Sequence, residues 1–262
     1  MSPARTHSPR SRARHGGSRK WAVLAVSLAA VTLFAARASA EADVAFKGLD
    51  IRRTGLIPRY PADRVCPPMT SLYASWDDVD GSKREEPHSG VDLGRLGDEI
   101  LAPGPGTVIS AWKANWGWGE EGAILLRHSR DDLGLKHGPK FYYSEFDHLR
   151  YDEISHLKEG ARVERGARLA TVFRPGGNGR YLPEVHWEVW QVEDHDANKW
   201  GVNEFGGRYW TNSTAHLVDP LYMLSLNAPR NQDGSVDIPV TDPDADYSLF
   251  RGFTYIFRCD PK

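Results

Sequence analysis

The stretch "YLPEVHWEVW", residues 181–190, alternates between apolar and charged side chains. Successive side chains of a β-strand point to opposite faces, so Glu184, His186 and Glu188 would share one face of such a strand. The valines and the tryptophan between them would share the other face. The pattern predicts a strand that packs on a core with one face and presents a histidine between two carboxylates on the other.

Similar strand-like runs, separated by glycine and proline, occur throughout the middle of the chain. They read "GVDLG", "EILAPGPGTVISAW", "GAILLRHS", "KFYYSEFDHL", "ARLATVF" and "VHWEVW". Several short strands at this spacing are typical of an antiparallel β protein. Only two segments, 151–157 and 219–226, have a helical pattern, and both are short. We therefore predict a mainly β fold with few short helices.

The first forty residues have the pattern of a signal peptide, with cleavage expected after Ala40. Basic residues precede the apolar run "WAVLAVSLAAVTLFAA", and the small residues "ASA" follow it. A membrane anchor is the alternative, but the apolar run is shorter than the roughly 20 residues that a spanning helix needs. We expect an exported protein, periplasmic or extracellular, with no stable membrane span after cleavage.

The charge of the remaining chain argues against a nucleic-acid partner. Residues 1–40 hold seven of the 33 Lys and Arg residues and none of the 35 Asp and Glu residues, so the chain without them has a formal charge of −9. Nucleic-acid binding requires a basic patch, and the sequence after residue 40 contains none. The acidic charge also gives no electrostatic reason for tight adherence to an anionic surface.

The chain has two cysteines, Cys66 and Cys259, near the two ends of the expected mature protein. Exported proteins lie in compartments where thiols oxidise, so we interpret the two as a disulfide, with two free thiols as the alternative. After residue 40 we predict three segments: an irregular, proline-rich N-terminal arm at 41–80, one domain at 81–226, and a C-terminal arm at 227–262. The acidic part of that last arm, 227–246, is expected to lie on the surface.

Within the domain, the segment 191–216 is an insert of polar and aromatic residues without clean periodicity. Loops of this length are uncommon unless they bind something or cover a site. Its tryptophans, with those of "WKANWGWG", could line a groove or pack in a core. The segments "LAPGPGTVISA" and "LKEGARVERGARLATV" also resemble lipoyl and biotinyl carrier domains, but the exposed lysine that such carriers need at a hairpin tip is absent.

Three of the eight histidines that follow residue 40 have neighbours suited to metal chemistry. His88 precedes Asp92 by four residues in "HSGVD", His148 lies in "FDHL", and His186 lies in "EVHWEV". Two imidazoles and one carboxylate, with a fourth position left for water, form the ligand set of a catalytic zinc site. We assign the remaining histidines to ordinary surface or core roles: His128, His137, His156, His195 and His216.

Residues 81–224 resemble the lysostaphin-like zinc metallopeptidases, which cleave peptides of peptidoglycan. The resemblance is carried, in order, by "HSGVDLG", "LAPGPGTVISA", "GAILLRHS", "FDHL", "LKEGARVERGARLATV", "EVHWEVW" and "VDPLYML". A single HxxxD pair would be weak evidence, but seven segments in order and at suitable spacing are a strong signal. The resemblance implies an antiparallel β domain with an open groove and one bound zinc ion.

The resemblance also implies the role of each residue. The HxxxD motif corresponds to the ligands His88 and Asp92, and the second histidine of the family's HxH motif corresponds to the third ligand, His186. His148 matches a histidine that stabilises the transition state without binding metal. The first histidine of HxH, usually the general base, is Glu184 in this chain.

A glutamate can serve as a base beside zinc, as it does in HExxH peptidases. The resemblance therefore implies a zinc endopeptidase acting on peptidoglycan stems or cross-links, with Glu184 and His148 as catalytic residues. The peptidoglycan peptide is the expected partner, and the protein is expected to be a monomer. The alternative is a catalytically silent zinc module that binds cell wall or regulates another hydrolase. Glu188 also matches the family pattern, and we expect it to orient a ligand histidine.

Overall fold

The computed structural model describes residues 50–174, 182–228 and 230–262. The predicted signal peptide, residues 1–40, lies outside the described residues. Within the described ranges, no helix is long and apolar enough to cross a membrane.

The described chain is built mainly of short strands, as the sequence predicts. They are β1 Ile57–Arg59, β2 Arg64–Val65, β3 Met69–Ser71, β4 Val91–Leu93, β5 Glu99–Leu101, β6 Gly106–Ala114, β7 Glu121–Ser129, β8 Phe141–Leu149, β9 Arg162–Val163, β10 Arg168–Thr171, β11 Val185–Val192, β12 Asn198–Val202, β13 Arg208–Asn212, β14 Ala215–Val218, β15 Ser235–Asp237 and β16 Asp260–Pro261. Two short α-helices, Tyr151–Ile154 and Pro220–Leu224, fall in the two segments predicted to be helical. A 3₁₀ turn covers His195–Ala197, and a second covers Ser225–Asn227.

The central sheet has the order β3-β4-β11-β8-β7-β6-β9, and β14 adds to the end of β11. Its pairs are antiparallel, which confirms the predicted fold class. The stretch 185–192 forms β11, which pairs with β4 and β8, so it lies inside the sheet rather than at its edge. This position brings the charged face of β11 against strands on both sides.

The apolar face of β11 packs on the main core, as its alternation predicts. Val185, Trp187 and Val189 are fully buried there. The Trp187 ring stacks on Phe146 of the neighbouring strand β8, with 6.2 Å between ring centroids. Burial of such side chains contributes roughly 1.5–3 kcal/mol each, so this face fixes the register of β11 and with it the position of the polar face.

The C-terminal arm contributes more to the core than the sequence indicates. Phe253, Tyr255 and Phe257 are fully buried although they lie in irregular backbone. The acidic part of the arm, predicted to lie on the surface, also contains buried side chains, since β15 pairs in parallel with β1 and buries Val236. The prediction rested on the low apolar content of the whole segment 227–246. That average does not show the short apolar stretches between the acidic residues, which are the parts that become buried.

The insert forms a hairpin rather than an irregular loop. Strands β12 and β13 pair antiparallel, with Trp200 opposite Trp210. Trp210 packs with Trp112 and Tyr143 of the central sheet in a second, smaller core. Strand alternation places Tyr143 on the same face of the sheet as His186, so the hairpin covers part of the face that carries the polar residues of β11.

Candidate metal centre

Three side chains that the sequence singles out converge on one point. His88 Nε2 lies 3.0 Å from Asp92 Oδ1, and His186 Nδ1 lies 2.8 Å from the same oxygen. The two imidazole nitrogens are 3.1 Å apart. The three residues form a group that could hold a metal ion. The structure therefore brings together all three predicted ligands, from segments almost one hundred residues apart.

The pairing of β4 with β11 creates this convergence. Asp92 is the direct partner of His186 across the two strands, and partners on one face lie about 5 Å apart at their Cβ atoms. His88 reaches the same point from the loop before β4. Gly90 allows that loop to approach β11, because a Cβ atom at this position would lie 2.4 Å from the carbonyl oxygen of Trp187.

Hydrogen bonds on the outer side of each imidazole fix which nitrogen is protonated. His88 Nδ1 lies 3.0 Å from the carbonyl oxygen of Leu72, which can only accept, so Nδ1–H donates. His186 Nε2 lies 3.2 Å from Glu188 Oε1 and donates to that carboxylate. In the neutral rings, Nε2 of His88 and Nδ1 of His186 are then lone pairs directed at Asp92 Oδ1. The expectation that Glu188 orients a ligand histidine agrees with this contact.

The electrostatics of the group favour a cation at the centre. Burial opposes ionisation of Asp92, but His88 and His186 lower the pKa of its carboxyl well below the usual value. Burial lowers the pKa of His88. Burial would also lower the pKa of His186, but hydrogen bonds to Asp92 and Glu188 raise it well above the usual value. The negative charge that retains a proton on His186 would equally favour a metal ion, whose binding releases that proton.

The donor set fits zinc. Two neutral imidazoles and one carboxylate are the protein ligands of many catalytic zinc sites, which keep another position for water or substrate. Three atoms that carry lone pairs lie 2.8–3.1 Å from one another, so either a proton or a metal ion must lie between them. The outer hydrogen bonds to a carbonyl and a carboxylate are those that orient metal-binding histidines in general. His88, Asp92 and His186 are thus the residues that would hold the metal.

His148 lies beside this group without joining it. The centroid of its ring is 6.2 Å from that of His186, and its Nδ1 lies 2.7 Å from Glu121 Oε2. The Trp118 ring packs against it at 4.5 Å between centroids. Burial would lower the pKa of His148, but the hydrogen bond and charge of Glu121 raise it above the usual value.

Backbone strain also marks this region. Among the described residues, only Ala74 and His148 are non-glycine residues with positive φ, each at 59°. The Ala74 N–H donates to the carbonyl oxygen of His88 at 2.8 Å, so both residues lie at the candidate site. Such conformations cost about 1–3 kcal/mol each and cluster at functional sites.

Glu184 lies just before β11, on the face that carries His186 and Glu188. Its backbone forms an isolated bridge with Phe173, and its side chain is partly buried. Burial, followed by the charge of Asp92, raises the pKa of its carboxyl to about 7. A carboxyl group in this position can exchange a proton near neutral pH when the centre carries no cation.

Arg84 is a site residue that the sequence reasoning missed. Its Nη2 lies 3.0 Å from Asp92 Oδ2, 3.1 Å from Asp78 Oδ1 and 3.3 Å from Ser71 Oγ. Ser71 Oγ in turn lies 3.2 Å from His88 Nδ1. Arg84 therefore occupies the carboxylate oxygen of Asp92 that does not face the histidines. The sequence does contain a signal for this role, because Arg84 is a basic residue four positions before the HxxxD motif.

Two buried acids next to the centre were also missed. Asp147 pairs directly with His186, and Glu145 pairs with Glu188, so all four side chains share one face of the sheet. Burial raises the pKa of Asp147 to about 7 and that of Glu145 well above its usual value. The alternation in "SEFDH" was the signal, since it places both acids opposite the charged face of β11.

Comparison with solved structures finds similarity to three peptidases at low identity. The catalytic domain of the prophage-encoded M23 protein EnpA from Enterococcus faecalis matches at 21% identity over 51% of this chain and 85% of its own, with a TM-score of 0.33. A zinc-containing peptidase from Vibrio cholerae matches at 24% identity over 51% of this chain and 36% of its own, with a TM-score of 0.33. The antimicrobial peptidase lysostaphin from Staphylococcus simulans matches at 16% identity over 75% of this chain and 76% of its own, with a TM-score of 0.36.

One of these structures is an M23 protein and another is lysostaphin, and the sequence motifs of this chain resemble the lysostaphin-like family. No family model matches the chain. No curated protein matches it either. The residues of the candidate metal centre are therefore assigned from the geometry of this chain.

Proposed function

We propose that the protein is a zinc-dependent endopeptidase that hydrolyses peptide bonds in the stems or cross-links of peptidoglycan. The observation that carries this proposal is the convergence of His88 Nε2, Asp92 Oδ1 and His186 Nδ1, with outer hydrogen bonds that turn both imidazole lone pairs inward. The sequence motifs supply the substrate class.

Zinc bound by the three ligands would polarise the scissile carbonyl and lower the pKa of water enough for attack at neutral pH. Glu184 takes the proton of the attacking water, because it lies on the same strand face as His186 and its carboxyl can accept a proton. His148 donates a hydrogen bond to the oxygen of the carbonyl as negative charge develops there. Asp92 keeps its charge because Arg84 and the two histidines surround it.

The second candidate is a zinc module without hydrolytic activity that binds cell wall or regulates another hydrolase. One observation favours it: Glu184 occupies the position where the resemblance implies a histidine as general base. Against it, His148 keeps its buried and strained placement beside the ligand group. Such placement has a cost in stability, and a module that only binds would have no need of it.

Purified peptidoglycan separates the two candidates. The zinc-loaded protein should release peptide fragments that mass spectrometry identifies, and the His186→Ala variant should release none. A protein that holds one zinc ion per chain, binds peptidoglycan and releases no fragment would contradict the proposed activity and favour the binding module. A protein that holds no zinc would contradict both.

We also propose export and a monomeric state. The disulfide Cys66–Cys259 supports export, because disulfides persist in oxidising compartments. Light scattering of the purified protein tests the monomeric state, and fractionation of the source cells distinguishes a periplasmic from an extracellular location.

A further inference from the structure

Glu121 and His148 form a buried pair beside the metal ligands. Glu121 Oε2 lies 2.7 Å from His148 Nδ1, and the two residues are only 2% and 7% exposed. A carboxylate can only accept, so Nδ1–H of His148 donates the hydrogen bond. Nε2 is then the ring nitrogen of His148 that remains for a substrate.

The backbone is arranged to make this contact. Glu121 begins β7 and His148 lies near the end of β8, where the pairing of the two strands shifts its register. Gly122, next to Glu121, allows the short helix after β8 to pack against β7, because a Cβ atom there would lie 2.9 Å from Tyr151 Cα and 2.7 Å from Ile154 Cδ1. The positive φ of His148 redirects a side chain that regular alternation would turn to the other face of the sheet.

Two neighbours limit the motion of the His148 ring. Trp118 lies against its face, with 33° between the ring planes, and Glu121 holds its edge. The second oxygen of Glu121, Oε1, is buried and has no hydrogen-bond partner among the described residues. Leaving a buried carboxylate oxygen unsatisfied destabilises the fold. A role in positioning His148 accounts for that cost.

We propose that Glu121 is the positioning residue of His148: its carboxylate holds Nδ1 as the donor and so presents Nε2 to the reacting carbonyl. This inference rests on the proposed peptidase function for its catalytic consequence. A buried carboxylate behind a catalytic histidine has the same effect in serine proteases, where it selects the tautomer and stabilises the charged ring. The raised pKa of His148 agrees with such a partner.

The test compares Glu121→Gln, Glu121→Asp and the matched control Glu120→Gln in the zinc-loaded protein. Glu120 is the exposed neighbour in sequence, paired with Lys113 at 2.9 Å, so its variant changes the same charge without touching His148. Nitrogen-15 NMR of labelled histidines reports which ring nitrogen is protonated, and a His148→Gln sample assigns the signal. Zinc content, kcat and KM are measured on each sample.

In the parent protein and in Glu120→Gln we expect the His148 signal of a ring protonated at Nδ1. In Glu121→Gln the amide can turn its N–H toward Nδ1, so the tautomer should change. kcat should then fall, by up to about 10,000-fold as for the wrong tautomer in serine proteases, with zinc content and KM unchanged. Glu121→Asp, which keeps the charge, should recover part of kcat.

Two results would overturn the inference: a His148 signal unaffected by Glu121→Gln, or a kcat equal to that of the Glu120→Gln control. Failure of the proposed function is distinguishable from both. If the zinc-loaded parent protein cleaves no peptidoglycan, the function is wrong, and the NMR comparison alone decides whether Glu121 positions His148.

Discussion

Removal of the disulfide Cys66–Cys259 should cost a large part of the stability of this protein. The bond closes a loop with a sequence separation of 193 residues and ties the N-terminal arm to the C-terminal arm. In the chain-entropy model, a loop of about 190 residues corresponds to about 5 kcal/mol at 25 °C. Domains have total stabilities of about 5–15 kcal/mol, so the loss is expected to be severe.

The two cysteines lie beside a pair of short strands, one from each arm of the chain. Strand β2 pairs with β16, which places Val65 opposite Asp260, and these are the residues next to the two cysteines. Cys259 is buried beside the main core, whereas Cys66 is only partly buried against it. The double variant Cys66→Ala, Cys259→Ala therefore removes the covalent constraint while it leaves the surrounding packing largely in place.

Urea unfolding of the parent protein and the double variant, followed by tryptophan fluorescence, measures the change. We expect a loss of about 3–5 kcal/mol and, for a domain of this size, a fall in Tm of about 2–4 °C per kcal/mol. Zinc content of the folded variant should not change, since the proposed ligands lie on β4, β11 and the loop before β4. A loss below about 1 kcal/mol would refute the reasoning, as would two unlinked cysteine peptides in a non-reduced digest of the exported protein.

The remaining predictions concern the site and the core. His88→Ala should remove most bound zinc, whereas His148→Ala should keep it and lose turnover; metal analysis of both checks this, and equal loss would show that the ligand set is wrong. Glu184→Gln should keep zinc and lower peptidoglycan turnover by roughly 100-fold to 10,000-fold, and a rate equal to that of the parent would assign the base to another group. Burial lowers the pKa of His128 from 6.5 to about 4, so the unfolded chain binds the proton first as pH falls. The neutral ring contributes stability that is complete above about pH 6.5 and is lost toward pH 4, about 3 kcal/mol in all. Urea unfolding of His128→Gln at several pH values should show a flatter acid limb than the parent, and parallel curves would contradict the assignment.

Much of the site can be predicted from local sequence because its residues lie in short, regular patterns. The alternation in 185–192 identifies β11 and the face that carries His186, since the period of a strand is two. The four-residue spacing of His88 and Asp92 and the motif order predict the other two members of the group that could hold a metal ion. The cysteine count predicts the disulfide, which the structure confirms.

The partners of those residues depend on contacts between distant segments. Glu121 reaches His148 only after β7 pairs with β8, and Asp147 lies opposite His186 only after β8 pairs with β11. No spacing in the sequence encodes these distances. The positive φ of His148 likewise reverses the orientation that strand alternation predicts for it.

The sequence by itself determines a mainly β protein and predicts the three residues that the structure brings together, because strand period and the chemistry of side chains are local properties of the chain. The tertiary structure decides which nitrogen of each histidine faces the centre, how Glu184 and His148 are charged, and which segments bury the site. These properties depend on burial and on hydrogen bonds between residues far apart in sequence. Both arise only when the chain folds, and they shift the pKa of a group by favouring one of its protonation states.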